Sequence, residues 1–363
     1  MPIRQRFDRL LLGSAILLTA IGLAILASAS WLLATERYGR PGSYFFTWQA
    51  ATAMVGLGLM VVSMHLRTTL LSDRRLVLGA LAVGWALLLA AFAQAEVAAT
   101  HRWISIGGIS LQPSVLVRLG LIMLMAILLD EARRGGWPWR KLALIGGITF
   151  TTILVIVVEP DLGTAALLAV VLGAMAFVAG MPLRLMAAPA AVAAVVLVLA
   201  IITSPYRLAR VQAFFDPESG AAASWQSYQS LVAIGSGGFL GLGYGSGLQK
   251  LFFLPEPHTD FIFAITGEEL GLVGLIVLLG LAGIIVWRGF VISARLEDPQ
   301  RALLAFGITA AFAIQSLIHM VVCLDLLPPK GIPLPLVSYG KTEMLVTLVS
   351  IGILLNLSRE VKA

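Results

Sequence analysis

The sequence predicts an all-α polytopic membrane protein with about ten transmembrane helices. Of the 363 residues, 59% are hydrophobic and only 12% are charged, whereas a soluble domain carries roughly 25% charged residues. The mean hydropathy is +0.95. Apolar runs of about 18 or more residues, long enough to cross a bilayer as a helix, recur along the chain. These observations exclude an ordinary soluble protein.

The apolar runs define ten spans within a single integral-membrane domain, residues 1–363. The spans cover residues 11–34, 45–66, 76–94, 112–130, 141–158, 164–180, 185–202, 260–286, 302–325 and 341–357. The first run is too long for a signal-peptide core, so we interpret it as a retained span. The connection between the seventh and eighth spans, about residues 203–259, is far longer than the usual 2–8 residues between packed helices and is too apolar for disorder.

The distribution of positive charge predicts the orientation of the chain. Sixteen of the 25 Lys and Arg residues lie in the termini and even-numbered connections, against eight in the odd-numbered connections. Because Lys and Arg accumulate on the cytoplasmic side, both termini are predicted to be cytoplasmic. Basic runs no longer than pairs exclude a nucleic-acid surface. The single cysteine, Cys323, falls inside a span, so no internal disulfide is expected.

Gly, Pro, Trp and ionisable residues are concentrated in the odd-numbered connections, which places chemistry or binding on the extracytoplasmic side. The polar motifs there are "RWISIGG" (102–108) with "LQPS" (111–114), "EPDLGT" (159–164), "YQSLVAIGSGGFLGLGYG" (228–245), "LPEPHTDFIFAITGEELG" (254–271) and "GIPLPLVSYG" (331–340). The first pair of motifs is typical of a short strand-like or re-entrant element. The glycines match neither the Walker A spacing nor a dinucleotide fingerprint, so no nucleotide site is predicted.

These motifs, in this order and over essentially the whole chain, resemble the signatures of the shape, elongation, division and sporulation (SEDS) family. The resemblance implies a ten-span protein of the bacterial inner membrane that polymerises peptidoglycan glycan strands from lipid II. "YRLARVQAFFDPE", "GLQKLFFLPE" and Lys330 resemble the division branch, FtsW, whereas "GIPLPLVSYG" is closer to the elongation branch, RodA. We favour the division branch and septal wall synthesis, with a RodA-type elongation polymerase as the alternative.

Asp260 has two interpretations. From the residues alone, it is a helix N-cap, because Asp and Thr are favoured there and a carboxylate suits the positive end of the helix dipole. The family resemblance instead implies that Asp260 is the catalytic base. It would take the proton of the acceptor sugar C4 hydroxyl, while that oxygen displaces undecaprenyl pyrophosphate with inversion at the anomeric carbon. A residue at a helix mouth can satisfy both interpretations.

Further polar residues are predicted to bind the substrate. The candidate residues are Arg102, Glu159, Asp161, Arg207, Arg210, Lys250, Glu256, His258, Lys330 and Ser338. The Arg and Lys side chains suit a pyrophosphate leaving group, since guanidinium pairs phosphate bidentately and ammonium acts as a point charge. A capped turn at "EPDLGT" and headgroup contacts of the cations remain the alternatives. A divalent cation, Mg²⁺ or Mn²⁺, is compatible with the carboxylates, but no spacing demonstrates a metal site.

Arg118, Glu268 and Glu269 fall well within the spans and are expected to be structural or gating residues. An ionisable group in a bilayer needs a partner or a water-filled cavity. Arg118 is a candidate partner for the two glutamates, or for Glu343. The chain departs from the family pattern at Val115, Arg118, His319, Lys341 and Glu343, where glutamate, lysine, asparagine and small residues are usual.

The chain contains no transpeptidase serine motif, so a partner must supply crosslinking. The resemblance implies a class B penicillin-binding protein, together with lipid II, the nascent glycan strand, membrane lipids and other divisome or elongasome proteins. Two rival functions remain open, a transporter that flips lipid II and a non-enzymatic scaffold. A transporter would place ionisable groups near the bilayer midplane on broken helices, whereas the polar motifs here lie at one surface.

Overall fold

The computed structural model describes residues 7–92, 102–106, 109–216, 222–251 and 253–361. Within these residues the chain forms helices and one two-stranded antiparallel sheet. The helices are α1 (Arg9–Glu36), α2 (Tyr44–His65), α3 (Thr68–Leu71), α4 (Arg74–Phe92), α5 (Pro113–Arg134), α6 (Trp139–Val158), α7 (Leu162–Val178), α8 (Leu183–Ile202), α9 (Pro205–Phe215), α10 (Ala222–Ser236), α11 (Ile262–Arg295), α12 (Pro299–Cys323) and α13 (Lys341–Ser358). The strands are β1 (Ile104–Ile106) and β2 (Ile109–Leu111).

The predicted polytopic all-α architecture is confirmed. Each of the ten expected spans coincides with one helix, and these helices are α1, α2, α4 to α8 and α11 to α13. Eight of the described helices are long and apolar enough to cross a membrane by length and composition alone, and α7 is a shorter apolar helix. The strands confirm the expected strand-like element, with Ile104 opposite Leu111. The connection between α8 and α11 carries α9 and α10, and its residues 217–221 and 252 lie outside the described part.

The bundle has a clear centre and a clear periphery. In the most apolar part of α13, 72% of the residues are buried, compared with 6% in α8. Helix α13 packs against α2, α5 and α12, whereas α8 contacts only its chain neighbours α7 and α9 among the main described packing pairs. Short side chains allow the close approaches at the centre, because a Cβ at Gly352 would lie 2.0 Å from Ser63 Oγ. The odd-numbered connections meet at one end of this bundle.

Helix α11 is interrupted at Gly271, and the glycine-rich segment 237–247 inserts into the break. Gly271 has φ 64° and ψ −163°, which separates the carbonyls of one turn from the amides of the next. Leu242 N donates to Glu268 O at 2.9 Å and Gly243 N to Glu269 O at 3.0 Å. On the other side of the break, the amides of residues 272 and 273 donate to the carbonyls of residues 238 and 239. Backbone groups that the kink leaves unpaired are therefore satisfied by the inserted segment, as a membrane interior requires.

The carboxylates of the broken turn also bind this segment. Glu268 Oε1 accepts hydrogen bonds from Leu248 N at 2.7 Å and from Gln249 N at 3.1 Å. Glu269 Oε1 lies 2.6 Å from Lys250 Nζ, and both side chains are buried. Lys250 also donates to Ser28 Oγ at 2.8 Å. The structure thus gives Glu269 a partner other than Arg118, and it uses Lys250 to fix the glycine-rich segment.

Replacing Gly241 with alanine should destabilise the protein strongly. Gly241 has φ 83°, and a Cβ there would lie 2.2 Å from Glu269 O, so the inserted segment would have to leave the break. We expect the free energy of unfolding to fall by more than about 3 kcal/mol, which is measured as a lower thermal unfolding midpoint in detergent. The control is Gly283→Ala on α11, the helix that the segment enters, where a Cβ meets nothing within 4 Å. It should leave the midpoint unchanged or slightly raised, and a similar loss in both variants would contradict the insertion.

Candidate active site

Asp260 lies on a tight turn that immediately precedes α11. The amides of Asp260 and Thr259 both donate to Glu256 O, at 3.1 and 3.2 Å. The N-cap position of α11 is Phe261, and no side chain caps this end of the helix. The carboxylate of Asp260 is therefore not engaged in capping. The interpretation of Asp260 as a helix cap was wrong, and its side chain is available for chemistry.

The Asp260 carboxylate is partly exposed, but protein surrounds it closely. The backbone of Gly331 covers one side, since a Cβ on that residue would lie 2.9 Å from Asp260 Oδ2. Burial raises the pKa of Asp260 from 3.8 to about 6, with Glu256 adding to the increase; a hydrogen bond from Thr259, together with Arg210 and Arg102, opposes it. The Thr259 hydroxyl also lies 3.3 Å from Glu256 O, and its single proton serves one acceptor at a time. The pKa of Asp260 is thus about two units above that of a free aspartate.

The segment 329–340 is attached directly to the Asp260 turn. Ser338 Oγ donates to Thr259 O at 2.7 Å and accepts from Leu334 N at 2.8 Å. Tyr339 N donates to His258 O at 2.9 Å. Both hydrogen bonds of the buried Ser338 hydroxyl are made within the protein, where it joins the segment 329–340 to the Asp260 turn. We therefore do not retain Ser338 as a substrate ligand.

Four cationic side chains gather at this end of the bundle. Arg207 and Arg210 are three residues apart on α9, which confirms that this stretch is helical. Arg210 donates to Pro329 O and Arg207 to Ala200 O, both at 2.9 Å. Arg102 donates to the carbonyls of Glu159 and Pro160. Because these acceptors are neutral carbonyls, the contacts hold the guanidinium groups in place without cancelling their charge.

Mutual electrostatic effects show that these cations form one cluster. Burial lowers the pKa of Lys330; Asp161 opposes this shift and Arg207 adds to it. Burial also lowers the pKa of Arg207, with Arg102 adding to the decrease and Asp161 opposing it. Arg102 and Arg210 act on Asp260 as well. Arg102, Arg207 and Lys330 are thus electrostatically coupled to one another or to Asp161, and Arg102 and Arg210 to Asp260. We call Arg102, Arg207, Arg210 and Lys330 the cation cluster.

The two carboxylates of "EPDLGT" have different environments. Asp161 caps α7 by accepting from Thr164 N at 3.2 Å, and it also accepts from Gln112 Nε2 at 3.0 Å. Glu159 is fully buried, and neither of its carboxyl oxygens has a hydrogen-bond partner among the described residues. Burial raises the pKa of Glu159 from 4.5 to about 8, with Asp161 adding to the increase and Arg102 opposing it. Glu159 is thus a neutral acid at pH 7.

Glu256 and His258, on the turn that carries Asp260, face the α1–α2 connection. Glu256 has φ 51°, an uncommon conformation for this residue type, and its carboxylate pairs with Arg37 at 3.2 Å. His258 is buried against Phe45, with ring centroids 4.5 Å apart. Burial and then Arg37 lower the pKa of His258 to about 4, so it is neutral. Its Nδ1 lies 3.9 Å from Glu256 Oε2 and has no hydrogen-bond partner among the described residues.

Arg118 lies inside the bundle and pairs with Glu343 on α13. The distance between Arg118 Nη2 and Glu343 Oε1 is 2.7 Å, and both side chains are 8% exposed. Of the proposed partners for Arg118, Glu343 is confirmed, whereas Glu268 and Glu269 bind the glycine-rich segment. The acid that position 115 lacks is supplied by α13 instead.

No metal-ligand set emerges from the described part of the chain. It contains no group of three or more His, Cys, Asp or Glu side chains placed to hold a metal ion. Glu256 pairs with Arg37, away from Glu159 and Asp161. The site as described is thus a carboxylate with a cation cluster.

Sequence reasoning missed two kinds of residue at this site. One is Gly331, whose role depends only on its lack of a side chain beside Asp260. The other is a pair of buried amides, Gln49 and Gln315, which bind backbone groups of the segment 329–340. A glycine directly after Lys330 was a visible signal, but nothing in the sequence placed it against Asp260.

The fold and site define a class of protein. It is a multi-pass membrane protein with a cation cluster and a carboxylate of raised pKa at one end of its bundle. Residues 8–363 match the family of cell cycle proteins FtsW, RodA and SpoVE. The chain is 37% identical to a probable peptidoglycan glycosyltransferase FtsW of Trichlorobacter lovleyi, over 98% of this chain and 94% of that protein. A protein of the same name from Halothiobacillus neapolitanus is also 37% identical, over 98% and 87%.

Solved structures agree with this assignment. A chain of a peptidoglycan synthase complex, described as coordinating polymerization and crosslinking, matches with a TM-score of 0.79 and 26% identity, over 97% of this chain and 98% of that one. The rod shape determining protein RodA of Thermus thermophilus matches with a TM-score of 0.68 and 25% identity, over 98% of each chain. The chain belongs to the FtsW/RodA/SpoVE family.

Replacing Glu159 with glutamine should stabilise the protein in a pH-dependent manner. Folding raises the pKa of Glu159 from 4.5 to about 8. The protein therefore loses stability as pH rises between these values, because Glu159 ionises first in the unfolded chain. The Glu159→Gln variant has no such loss. Its thermal unfolding midpoint should match the parent near pH 4.5 and exceed it by several degrees at pH 8. Glu36→Gln, which changes an exposed carboxylate, should show no such trend; a constant offset for Glu159→Gln would contradict the prediction.

Proposed function

We propose that the chain is a peptidoglycan glycosyltransferase that polymerises glycan strands from lipid II, with Asp260 as general base. The observation that carries the proposal is a partly exposed carboxylate, with a pKa of about 6, next to a cluster of cations at the end of a membrane bundle. This arrangement suits a reaction that needs both a proton acceptor and a binding site for an anionic leaving group. The similarity to proteins named peptidoglycan glycosyltransferase supports it.

The proposed step is a single displacement. The C4 hydroxyl of the acceptor sugar attacks the anomeric carbon of the donor and gives its proton to the Asp260 carboxylate. The bond from that carbon to the phosphate oxygen breaks, and undecaprenyl pyrophosphate leaves with the electron pair. One inversion converts the α-linked donor into a β-linked polymer. A base with a pKa near the working pH combines a useful ionised fraction with adequate basicity, and such a base contributes about 10²–10⁴ in rate.

The cation cluster suits the leaving pyrophosphate. Arg102, Arg207 and Arg210 present guanidinium groups, which bind phosphate bidentately, and Lys330 adds a point charge. Their positions are fixed by carbonyl acceptors, so little reorganisation is needed when negative charge develops. The neutral Glu159 adds no repulsion to the phosphate at pH 7. Lys250 takes no part, because its ammonium group is buried against Glu269.

The acceptor saccharide would lie against Glu256 and Arg37, apart from the contacts of the cation cluster. This exposed ion pair offers both donors and acceptors to sugar hydroxyls, and Tyr38 beside it is 47% exposed. His258 is neutral and buried, so it shapes the turn that carries Asp260. Separate sites for the donor phosphate and the acceptor sugar suit an in-line displacement, in which the attacking hydroxyl and the leaving phosphate lie on opposite faces of the anomeric carbon.

We further propose that the site faces the extracytoplasmic side of the bacterial inner membrane, as the distribution of Lys and Arg indicates. The relatives named FtsW favour a role in division. Crosslinking would come from a class B penicillin-binding protein, and the similarity to a synthase complex that coordinates polymerization and crosslinking supports such a partner.

Replacing Asp260 with asparagine should abolish polymerisation. The amide cannot accept the hydroxyl proton, so we expect the polymerisation rate to fall by at least about 10². The activity of the parent should rise with pH through about 6, since burial raises the pKa of Asp260 to about this value and only the ionised form is a base. The measurement is glycan chain formation from lipid II in detergent, with the partner protein present. Binding of lipid II should persist in the variant.

The control is Asp325→Asn, which changes an acid of the α12–α13 connection and should retain normal activity. A variant Asp260→Asn that polymerises at the parental rate would refute the role of this residue. The same assay separates the rival functions, because neither a transporter nor a scaffold produces glycan chains from lipid II in detergent.

Replacing Gly331 with alanine should slow polymerisation without unfolding the protein. The added methyl group would press on Asp260 Oδ2 at 2.9 Å and displace the carboxylate, and small displacements of catalytic groups cost up to about 10² in rate. The control is Gly340→Ala in the same segment, where a Cβ would meet only Glu343 Cβ, at 3.4 Å. Equal activities of the two variants, at equal unfolding midpoints, would contradict the contact with Asp260.

A further inference from the structure

The Arg118–Glu343 pair is built into a larger polar contact inside the bundle. Arg118 uses both ends of its guanidinium group: Nη2 binds Glu343 at 2.7 Å, and Nη1 binds Gln315 Oε1 at 2.5 Å. Thr347 Oγ1 donates to the same Glu343 oxygen at 3.2 Å. A cavity of about 30 Å³ adjoins these side chains, enough for about one water molecule. Nothing in the proposed chemistry requires charged groups at this depth.

Gln315 extends this contact towards the active site. Its Nε2 donates to Pro333 O at 2.9 Å. A guanidinium group only donates hydrogen bonds and a backbone carbonyl only accepts them, so a side chain that joins the two must do both. An amide does so, and the two contacts fix its orientation. Neither an apolar residue nor a carboxylate can replace Gln315 in this position.

A second side chain of α12 holds the same segment. His319 is buried, and its Nδ1 lies 2.8 Å from Ile332 O, so the carbonyls of residues 332 and 333 are both held from within the bundle. Gly331, which covers the Asp260 carboxylate, and Lys330, which belongs to the cation cluster, directly precede these two residues. The position of this short stretch therefore decides how closely Asp260 is covered and where the ammonium group of Lys330 lies.

We propose that Arg118, Glu343 and Gln315 are positioning residues for the reaction, because they hold the segment 330–333 against Asp260. Arg118 and Glu343 orient the Gln315 amide, and that amide fixes Pro333. The inference rests on the proposed function, since it assigns to these residues an effect on the proposed base. None of the three residues belongs to the proposed substrate site.

The proposal has a consequence that a purely structural role does not share. If the segment loosens, water reaches the Asp260 carboxylate, and the burial that raises its pKa is reduced. The acid limb of the pH–rate profile should then move to lower pH. A variant that only unfolds part of the protein lowers the active fraction and leaves the pH midpoint where it was.

The test is Gln315→Met, which keeps a similar volume and removes both hydrogen bonds. We expect kcat for polymerisation of lipid II to fall about ten- to hundredfold, and the acid limb of the pH–rate profile to shift downward. The matched control is Asn356→Leu at the far end of α13. It also removes a buried amide, which donates to the carbonyls of Ser63 and Leu66, and it should leave the pH midpoint unchanged.

A second variant covers the case in which Gln315→Met fails to fold. Arg118→Lys keeps a cation for Glu343, but a single ammonium group lacks the fork that spans Glu343 and Gln315. It should shift the pH profile in the same direction as Gln315→Met. An unshifted profile with parental kcat in folded Gln315→Met or Arg118→Lys would overturn the proposal. Failure of the proposed function is distinguishable, because it would show as an active Asp260→Asn variant.

Discussion

The partial desolvation of one carboxylate, that of Asp260, is the constraint on which the rest of the site depends. A fully solvated aspartate would be a weak base, and a fully buried one would stay protonated and out of reach of a substrate. The structure reaches an intermediate state, because Asp260 is half-buried and Gly331 packs closely against its carboxylate. Cations nearby limit the rise in pKa, so the group remains ionised through much of the neutral range.

The polar groups within the bundle serve this arrangement. A helix break in a membrane is tolerated only where its backbone groups find partners, and the glycine-rich segment supplies them at Gly271. Charges follow the same rule: Glu269 meets Lys250, and Arg118 meets Glu343. Each pair ties a connection or a neighbouring helix to the centre of the bundle. The polar interior therefore acts as a frame for the segments that carry Asp260 and Lys330.

Different residues of the site suit the pyrophosphate of the donor and the saccharide of the acceptor. Arg102, Arg207 and Lys330 lie on the side of Asp161, where a pyrophosphate would be held. Glu256 and Arg37 form a separate, exposed ion pair, where a neutral saccharide would meet both donors and acceptors. The neutral state of Glu159 belongs to this separation, because an ionised carboxylate beside Asp161 would repel phosphate. Burial and like charge, not hydrogen bonding, keep this acid protonated.

The sequence by itself determined the membrane class and the ten spans, and its motif order pointed to Asp260 through the family resemblance, because apolar length and motif order are local properties of the chain. It also gave the helical spacing of Arg207 and Arg210. Tertiary structure alone decided the partners. Lys250, a candidate phosphate ligand, pairs with Glu269, and Gly331 packs against Asp260. Both outcomes depend on contacts between distant segments. Burial sets the pKa values, and burial is a property of packing that no single segment contains.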